Sequence, residues 1–465
     1  MRTLLLVSLL LIGSPAPPAL AGDHPLAEAQ TLDLAQRSIA IRSVRGDDNQ
    51  TGEVAKLFRD ALIAGGWQPE DVVVEPFDDT AFLIATWPGS DPSLGPIVLS
   101  AHMDVVEARP EDWERDPFTP VIENGYLFGR GASDTKFDAA LAIASMIELR
   151  RQGFTPRRSI VIAYSGDEET TMATSKIIAE RLKDARVVLN VDGASGSFDE
   201  TTGKPLFWSW QGGEKTYVDF QLETTNPGGH SSAPRDDNAI AELAQALVRI
   251  AAYRFKPELN DITRAYFENA APLETNPTKA QAMRAFAADP TNAEAIAVLR
   301  ADPYEIGKIG TTCVPTMVSG GHAENALPQR ATAIVNCRLF PGHSITETMA
   351  ELEQVAGTPK VTFSNITGDA SIQAPASPLD EDLVTSFEKA LFKAWGEMPV
   401  IPMQSSGASD SMWYRAIGVP SYGASGTFIK DSDSYAHGLN ERISLSNVEP
   451  GVVYYITLMS DLAAK

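Results

Sequence analysis

Apolar and polar positions follow two different periods along this chain, and the switches between them mark its elements. Between residues 26 and 66 apolar side chains recur every three or four positions, most clearly in EVAKLFRDALIAGG. That spacing predicts one long amphipathic helix or two, ended at Gly65 and Gly66. Three short runs rich in β-branched and apolar residues follow: DVVVEPF, AFLIATW and PIVLSAHMDVV. DAALAIASMIELRRQG returns to helical spacing and stops at Gly153. SIVIAYSGDEE predicts a buried strand ending in acids, SKIIAERLKD a helix, and ARVVLNVDGAS a further apolar strand ending in an acid. This alternation predicts an α/β fold with a largely parallel, helix-covered sheet. In such sheets ligands sit at the carboxyl ends of the strands. Three strands deliver His or acidic residues there: His102, Asp167 to Glu169, and Asp192.

The pattern changes near Gly212. KTYVDFQLETT alternates as a strand does, NAIAELAQALVRIAAY is helical, and the polar, Ala-rich residues 257–308 read as inserted helices. TTCVPTMVSGG and ATAIVNCRLFPG read as strands, ITETMAELEQVAG as a helix and PKVTFSN as a strand. Without the insertion the order is β-α-β-β-α-β, a ferredoxin-like split βαβ unit. Residues 213–370 are therefore read as a smaller α+β domain inserted into a larger one formed by 22–212 and 371–465. From LDEDLVTSFEKALFKAW onward the helix and strand alternation resumes.

Composition changes this picture in three places. Residues 1–21 carry Arg2, a short apolar run and then SPAPPALA, which reads as a secretory signal peptide cleaved near Ala21. The expected location is the periplasm or the exterior. The apolar run is short for a membrane span, no later stretch approaches the needed length, and no Cys follows it to take a lipid, so no stable membrane anchor is expected. The net charge of −23 argues against nucleic acid and anionic membranes as partners. Cys313 and Cys337 are too few for a disulfide framework, but export permits one bridge between the strand-like runs that carry them.

The candidate chemistry gathers at the strand ends. In LSAHMDVV, strand alternation puts His102 and Asp104 on one side. GRGASDTK presents Asp134 on a Gly-rich turn, and SYAHGLNE supplies His437. With Glu168, Glu169 and Asp192 these make two imidazoles and several carboxylates, a donor set that suits zinc, with cobalt or manganese as alternatives. Six donors are too many for one ion. Two ions about 3.5–4 Å apart, bridged by one carboxylate, would use them. Asp134, held by its turn, fits the bridge. Of Glu168 and Glu169, one can ligate while the other takes a proton from water.

The motifs SAHMDVV, GRGASDTK, YSGDEE, NVDG, NPGGHSS and AHGLNE, in this order over most of the chain, resemble the di-zinc metallopeptidase family of aminoacylase, succinyl-diaminopimelate desuccinylase and carboxypeptidase S. The spacing is most similar to the carboxypeptidase S branch and its secreted N-acyl amino acid hydrolase relatives. The resemblance implies a zinc-hydrolase sheet domain carrying a lid that dimerises in many members, a contact that the 257–308 insertion is placed to block or replace. It implies two Zn2+ per chain: one on His102 and Asp192, the other on Glu169 and His437, with Asp134 bridging through a cis peptide bond to Thr135. Asp104 would fix the His102 ring and Glu168 would be the general base. His230 would donate to the oxyanion, across the subunit interface in dimeric members. Asn325 and Arg338 would hold the substrate carboxylate, for which a bidentate Arg fork is suited. Asp410, in GASDSMW, belongs either to a substrate loop or to a helix cap. Thr170 and Thr171 stand where many members have Gly, and Asp192 where many have Glu. The leading expectation is hydrolysis of an amide next to a free carboxylate, as in a carboxypeptidase or dipeptidase. The second is hydrolysis, or reverse condensation, of N-acyl amino acids. The third is a non-catalytic binding protein on the same fold, which the loss of any of the five metal ligands or of Glu168 would favour; all six residues are present.

Overall fold

The computed structural model describes residues 22–465, so the segment read as a signal peptide lies outside the described residues. The first amphipathic stretch folds as two helices, α1 (Pro25–Ile39) and α2 (Thr51–Ala64), separated by the polar segment SVRGDDNQ. Strands β1 (Val72–Phe77), β2 (Thr80–Trp87) and β3 (Ile97–His102) follow, then α3 (Lys136–Arg151), β4 (Ile160–Ser165), α4 (Ala173–Arg181), β5 (Val187–Asn190), β6 (Gly196–Phe198) and β7 (Pro205–Glu214). The chain then leaves for the small domain through β8 (Thr216–Thr225), α5 (Ala239–Ala252), the helices α6 (Asp261–Ala270), α7 (Pro277–Ala288) and α8 (Ala293–Ala301), β9 (Thr312–Gly320), β10 (Arg330–Leu339), α9 (Ile345–Ala356) and β11 (Val361–Asn365). It returns with α10 (Glu381–Trp395), β12 (Val400–Ser405), α11 (Ser411–Ala416), β13 (Ser421–Gly423), β14 (Phe428–Ile429) and α12 (Val448–Ala464).

Ten strands form one sheet in the order β1-β2-β4-β3-β5-β13-β7-β6-β14, with β12 alongside β7. The central four, β4, β3, β5 and β13, are parallel. The flanks differ from the largely parallel expectation: β1, β2 and β4 pair antiparallel, as do β13 and β7. A two-residue turn, Asp78 and Asp79, joins β1 to β2, and so short a link permits only a hairpin. Successive β3 residues feed opposite cores. Leu99 and Ala101 meet the helices α1, α3 and α12, whereas Val98 meets α4 and α11. With both faces covered, every residue of the strand is buried, and Ser100 is the one polar side chain before His102.

The small sheet has the order β9-β10-β8-β11, antiparallel throughout, with α5 and α9 on one face over Val218, Phe220, Leu222 and Val335. This is the β-α-β-β-α-β unit read from the sequence. Cys313 on β9 lies directly opposite Cys337 on β10, and the two form a disulfide with Cα atoms 4.1 Å apart. The insertion is helical. The side chains of Asn260, Asn276 and Asn292 each accept a backbone N–H at the start of α6, α7 and α8. These helices share a core of Phe267, Phe286 and Leu299. The first of them docks on the large sheet: Ile262 enters its core, and Asn260 Nδ2 donates to Gln404 Oε1 on β12 at 2.7 Å. Among the described residues no helix is long and apolar enough to cross a membrane.

Candidate metal centre

The parallel neighbours β4, β3 and β5 end side by side, so the residues just beyond them meet. His102 closes β3 and is buried. Glu168 and Glu169 follow β4, and Asp192 follows β5. Asp134 arrives from the turn before α3, and His437 from the loop after β14. One oxygen of Asp134, Oδ1, lies 3.0 Å from His102 Nε2, and the other, Oδ2, lies 3.1 Å from His437 Nε2. The same His437 nitrogen is 2.9 Å from Glu169 Oε1, and His102 Nε2 is 3.6 Å from Asp192 Oδ2. The peptide bond from Asp134 to Thr135 is cis.

The donor set fits divalent cations for a reason visible in the hydrogen bonding. His102 Nδ1 lies 2.9 Å from the Asp104 carbonyl oxygen, which can only accept, so this nitrogen carries the proton. Nε2 then turns a lone pair toward the carboxylates of Asp134 and Asp192. A lone pair facing acceptor oxygens at these distances needs a proton or a metal ion between them. Two donors about 2.0 Å from a tetrahedral ion stand roughly 3.3 Å apart, and the separations of 2.9–3.6 Å bracket that value. Burial, with Asp192 and other carboxylates adding to it, holds the Glu168 carboxyl well above its usual range. Burial does the same to Asp192 despite the opposing pull of His102. A cation among crowded, desolvated carboxylates would relieve both.

Asp104 takes a different part from the one strand alternation assigns. β3 stops at His102, so the two side chains share no strand face. The Asp104 carbonyl orients the ring, while the carboxylate stands 3.6 Å from Nδ1 and accepts the backbone N–H groups of Glu168 and Glu169 at 3.1 and 3.0 Å. Asp104 thus ties the His102 strand end to the loop carrying both glutamates. Donor atoms of His102, Glu168 and Asp192 lie within 4.8 Å of one another, as do those of His102, Asp134 and Glu169. Glu169 is separated from Glu168 by its contact with His437. Asp167 is not among the donors. Its carboxylate accepts the N–H groups of Ala173 and Thr174 and the hydroxyl of Thr171, so Thr171 helps hold this loop.

Sequence reading missed the clamp behind Asp134. Glu441, fully buried, accepts N–H groups from Gly131 at 3.1 Å, Ser133 at 2.7 Å and Asp134 at 3.0 Å, together with Arg130 Nη1 at 2.6 Å. Arg130 also donates to the Gly438 carbonyl at 3.2 Å. One buried ion pair therefore locks the turn bearing Asp134 to the loop bearing His437. The signal was present in AHGLNE, four residues after the His, but burial of an acid is invisible in sequence.

The remaining candidates lie apart. His230 pairs with Ala326 in a short exposed ribbon, and Ser231 N–H donates to the Asn325 carbonyl. Among the described residues no hydrogen bond or ion pair joins either to the metal-binding cluster. Arg338, on β10, stacks 4.6 Å from the Tyr217 ring and donates to the Ser406 carbonyl at 3.1 Å, on the large-domain loop that leads to Asp410. Asp410 makes no helix-cap bond. Its Oδ2 instead accepts Ser165 Oγ at 2.7 Å beneath the centre.

A sequence model of peptidase family M20/M25/M40 matches residues 98–461. The chain is 26% identical over 388 residues to the probable carboxypeptidase S-like 2 of Dictyostelium discoideum, covering 82% of this chain and 74% of that one. It is 28% identical over 382 residues to the N-fatty-acyl-amino acid synthase/hydrolase PM20D1 of Bos taurus, covering 79% and 74%. Its fold is similar to that of an M20 family metallo-carboxypeptidase from Sulfolobus solfataricus, with a TM-score of 0.70 at 18% identity over 93% of this chain and 98% of the other.

Proposed function

Because the chain belongs to peptidase family M20/M25/M40, we propose that it is a metal-dependent amide hydrolase that cleaves beside a free carboxylate, as a carboxypeptidase or dipeptidase does. The observation that carries this reading is the Asp134 carboxylate, whose two oxygens each face a different imidazole. His102 and Asp192 would hold one Zn2+, Glu169 and His437 the other, and Asp134 both. Three protein donors on each ion leave a position open, as catalytic zinc sites require. Glu168 is then the surplus acid.

When bound, the two ions supply Lewis acidity toward the scissile carbonyl and toward water. Glu168 takes the proton of the attacking water and passes it to the departing amine. Asp104 positions both His102 and Glu168. His230 Nδ1 accepts the Ser232 N–H at 3.1 Å, which places its own proton on Nε2 and suits it to donate to an oxyanion. Arg338 and Asn325 would receive the substrate carboxylate. Since His230 stands away from the cluster within one chain, we place it in the site of a second copy. The edge strand β9 supports this pairing, with Met317 68% and Val318 71% exposed and no strand among the described residues on its outer edge. α6 docks on the large sheet and the insertion leaves those two residues uncovered. The Cys313–Cys337 disulfide is consistent with the exported location expected from the sequence.

The N-acyl amino acid hydrolase reading is kept because relatives carrying that name match as widely as the carboxypeptidase-like one. The test is a panel of C-terminally free dipeptides, N-acetyl amino acids and N-fatty-acyl amino acids, run with zinc, cobalt and manganese. Dipeptide turnover should dominate. Turnover confined to the fatty-acyl compounds would install the second reading, and none with any metal would leave a binding protein.

A further inference from the structure

Away from the metal centre, a cavity of about 250 Å3 lies where the end of α5, the start of β9 and the segment following α8 meet. Phe255, Ile306, Ile309 and Val314 give it apolar walls, and two guanidinium groups, Arg254 and Arg300, border it. Arg254 donates to the carbonyls of Ala251 at 2.8 Å and Tyr253 at 2.7 Å, and Arg300 to that of Phe255 at 2.7 Å. Among the described residues neither stands within ion-pair distance of a carboxylate. Burial, with Arg254 adding to it, pulls the Arg300 pKa down, and no acid offsets that shift. A buried amine, its pKa pulled down to about 7 by burial and by Arg338, reaches the same wall. Lys215, 1% exposed, donates to the Gly310 carbonyl at 2.8 Å and to Thr312 Oγ1 at 3.0 Å, again with no carboxylate in reach. Arg254 is exposed, but the half-buried Arg300 beside it is unfavourable without an anion to join the two. In a chain of net charge −23, acids to neutralise them were abundant. A helix-end role suits Arg254, just past α5, and Arg300, in the last turn of α8, but it does not account for the apolar space that both border.

We propose that this cavity is a second, non-catalytic binding site for a carboxylate carried on an apolar chain. Arg254 and Arg300 hold the carboxylate, and Phe255, Ile306 and Ile309 enclose the chain. The site lies at the root of the small domain, since Lys215 is the single residue between β7 and β8.

The test titrates metal-loaded protein by calorimetry with decanoate and, separately, with N-octanoylglycine. Decanol and acetate serve as probes of the tail and the charge alone. At least one of the two amphipathic acids should bind more tightly than either control. Decanoate alone would identify a free acid as the ligand, and N-octanoylglycine alone an acyl amino acid. Arg254→Gln and Arg300→Gln should each weaken that binding about tenfold or more, the worth of one charge-assisted hydrogen bond, with the hydrolytic rate unchanged. Should those variants fold poorly, Ala251→Trp, at an exposed helix end that lines the cavity, fills it while both arginines stay in the chain and should abolish the same binding. Parent-like affinity in active variants, or no binding by the parent, overturns the proposal.

Discussion

Asp134 faces both imidazoles only because its turn is held, and the holding falls to a carboxylate that touches no substrate. Replacing Glu441 with Gln keeps one acceptor oxygen but removes the charge that Arg130 neutralises and that three backbone N–H groups solvate. The expected outcome is a folded protein whose zinc affinity falls roughly 10–100-fold, the usual effect of losing a partner behind the ligands. Competition with a chromophoric chelator measures it, and parent affinity would assign the clamp to stability alone. Glu168→Gln should behave in the opposite way. Its metal content should stay at the parent level while kcat drops about 10²–10⁴-fold, the range that general acid–base groups contribute. That His102, Glu168, Glu169 and Asp192 meet was legible because each stands at or just beyond the end of an apolar strand of one parallel sheet. Glu441 and Arg130 were not, because their role is defined by burial and by contacts more than 300 residues apart. Asp104 was legible as a partner of His102, but not in its geometry, because the strand stops two residues short of it and alternation does not apply.

At the scale of elements, helical spacing and apolar runs placed the helices and the central strands, because both faces of the large sheet are covered and the pattern is undiluted. Strand direction was less legible. Nothing in AFLIATW separates a parallel neighbour from an antiparallel one, and only the two-residue link before it decides. The disulfide was an open question for the same reason, since it depends on register across β9 and β10. That bridge spans 24 residues of sequence. Closing a loop of this size is worth about 3 kcal/mol in the chain-entropy account. The variant with both Cys313→Ser and Cys337→Ser should therefore melt several degrees lower, yet keep its metal affinity and its activity at 25 °C, because the bridge lies within the small sheet. Loss of metal binding in that variant would tie the two domains more closely than the fold suggests.

At the scale of the molecule, the insertion of one sheet into another was legible from the order of elements. The docking of the inserted helices on the large sheet was not, because their apolar faces carry no address. If His230 acts from a second copy, assembly and activity fall together. Val318→Lys at the open edge of β9 should yield a monomer by light scattering, with kcat reduced and metal content unchanged. A fully active monomer would return His230 to its own chain. Above all these stands the pairing of cations around Asp134. Crystals grown with zinc and measured on both sides of its absorption edge should show two anomalous peaks about 3.5–4 Å apart, one beside His102 and Asp192, the other beside His437 and Glu169. A single peak under saturating zinc, with His437 bound to nothing, would contradict the account.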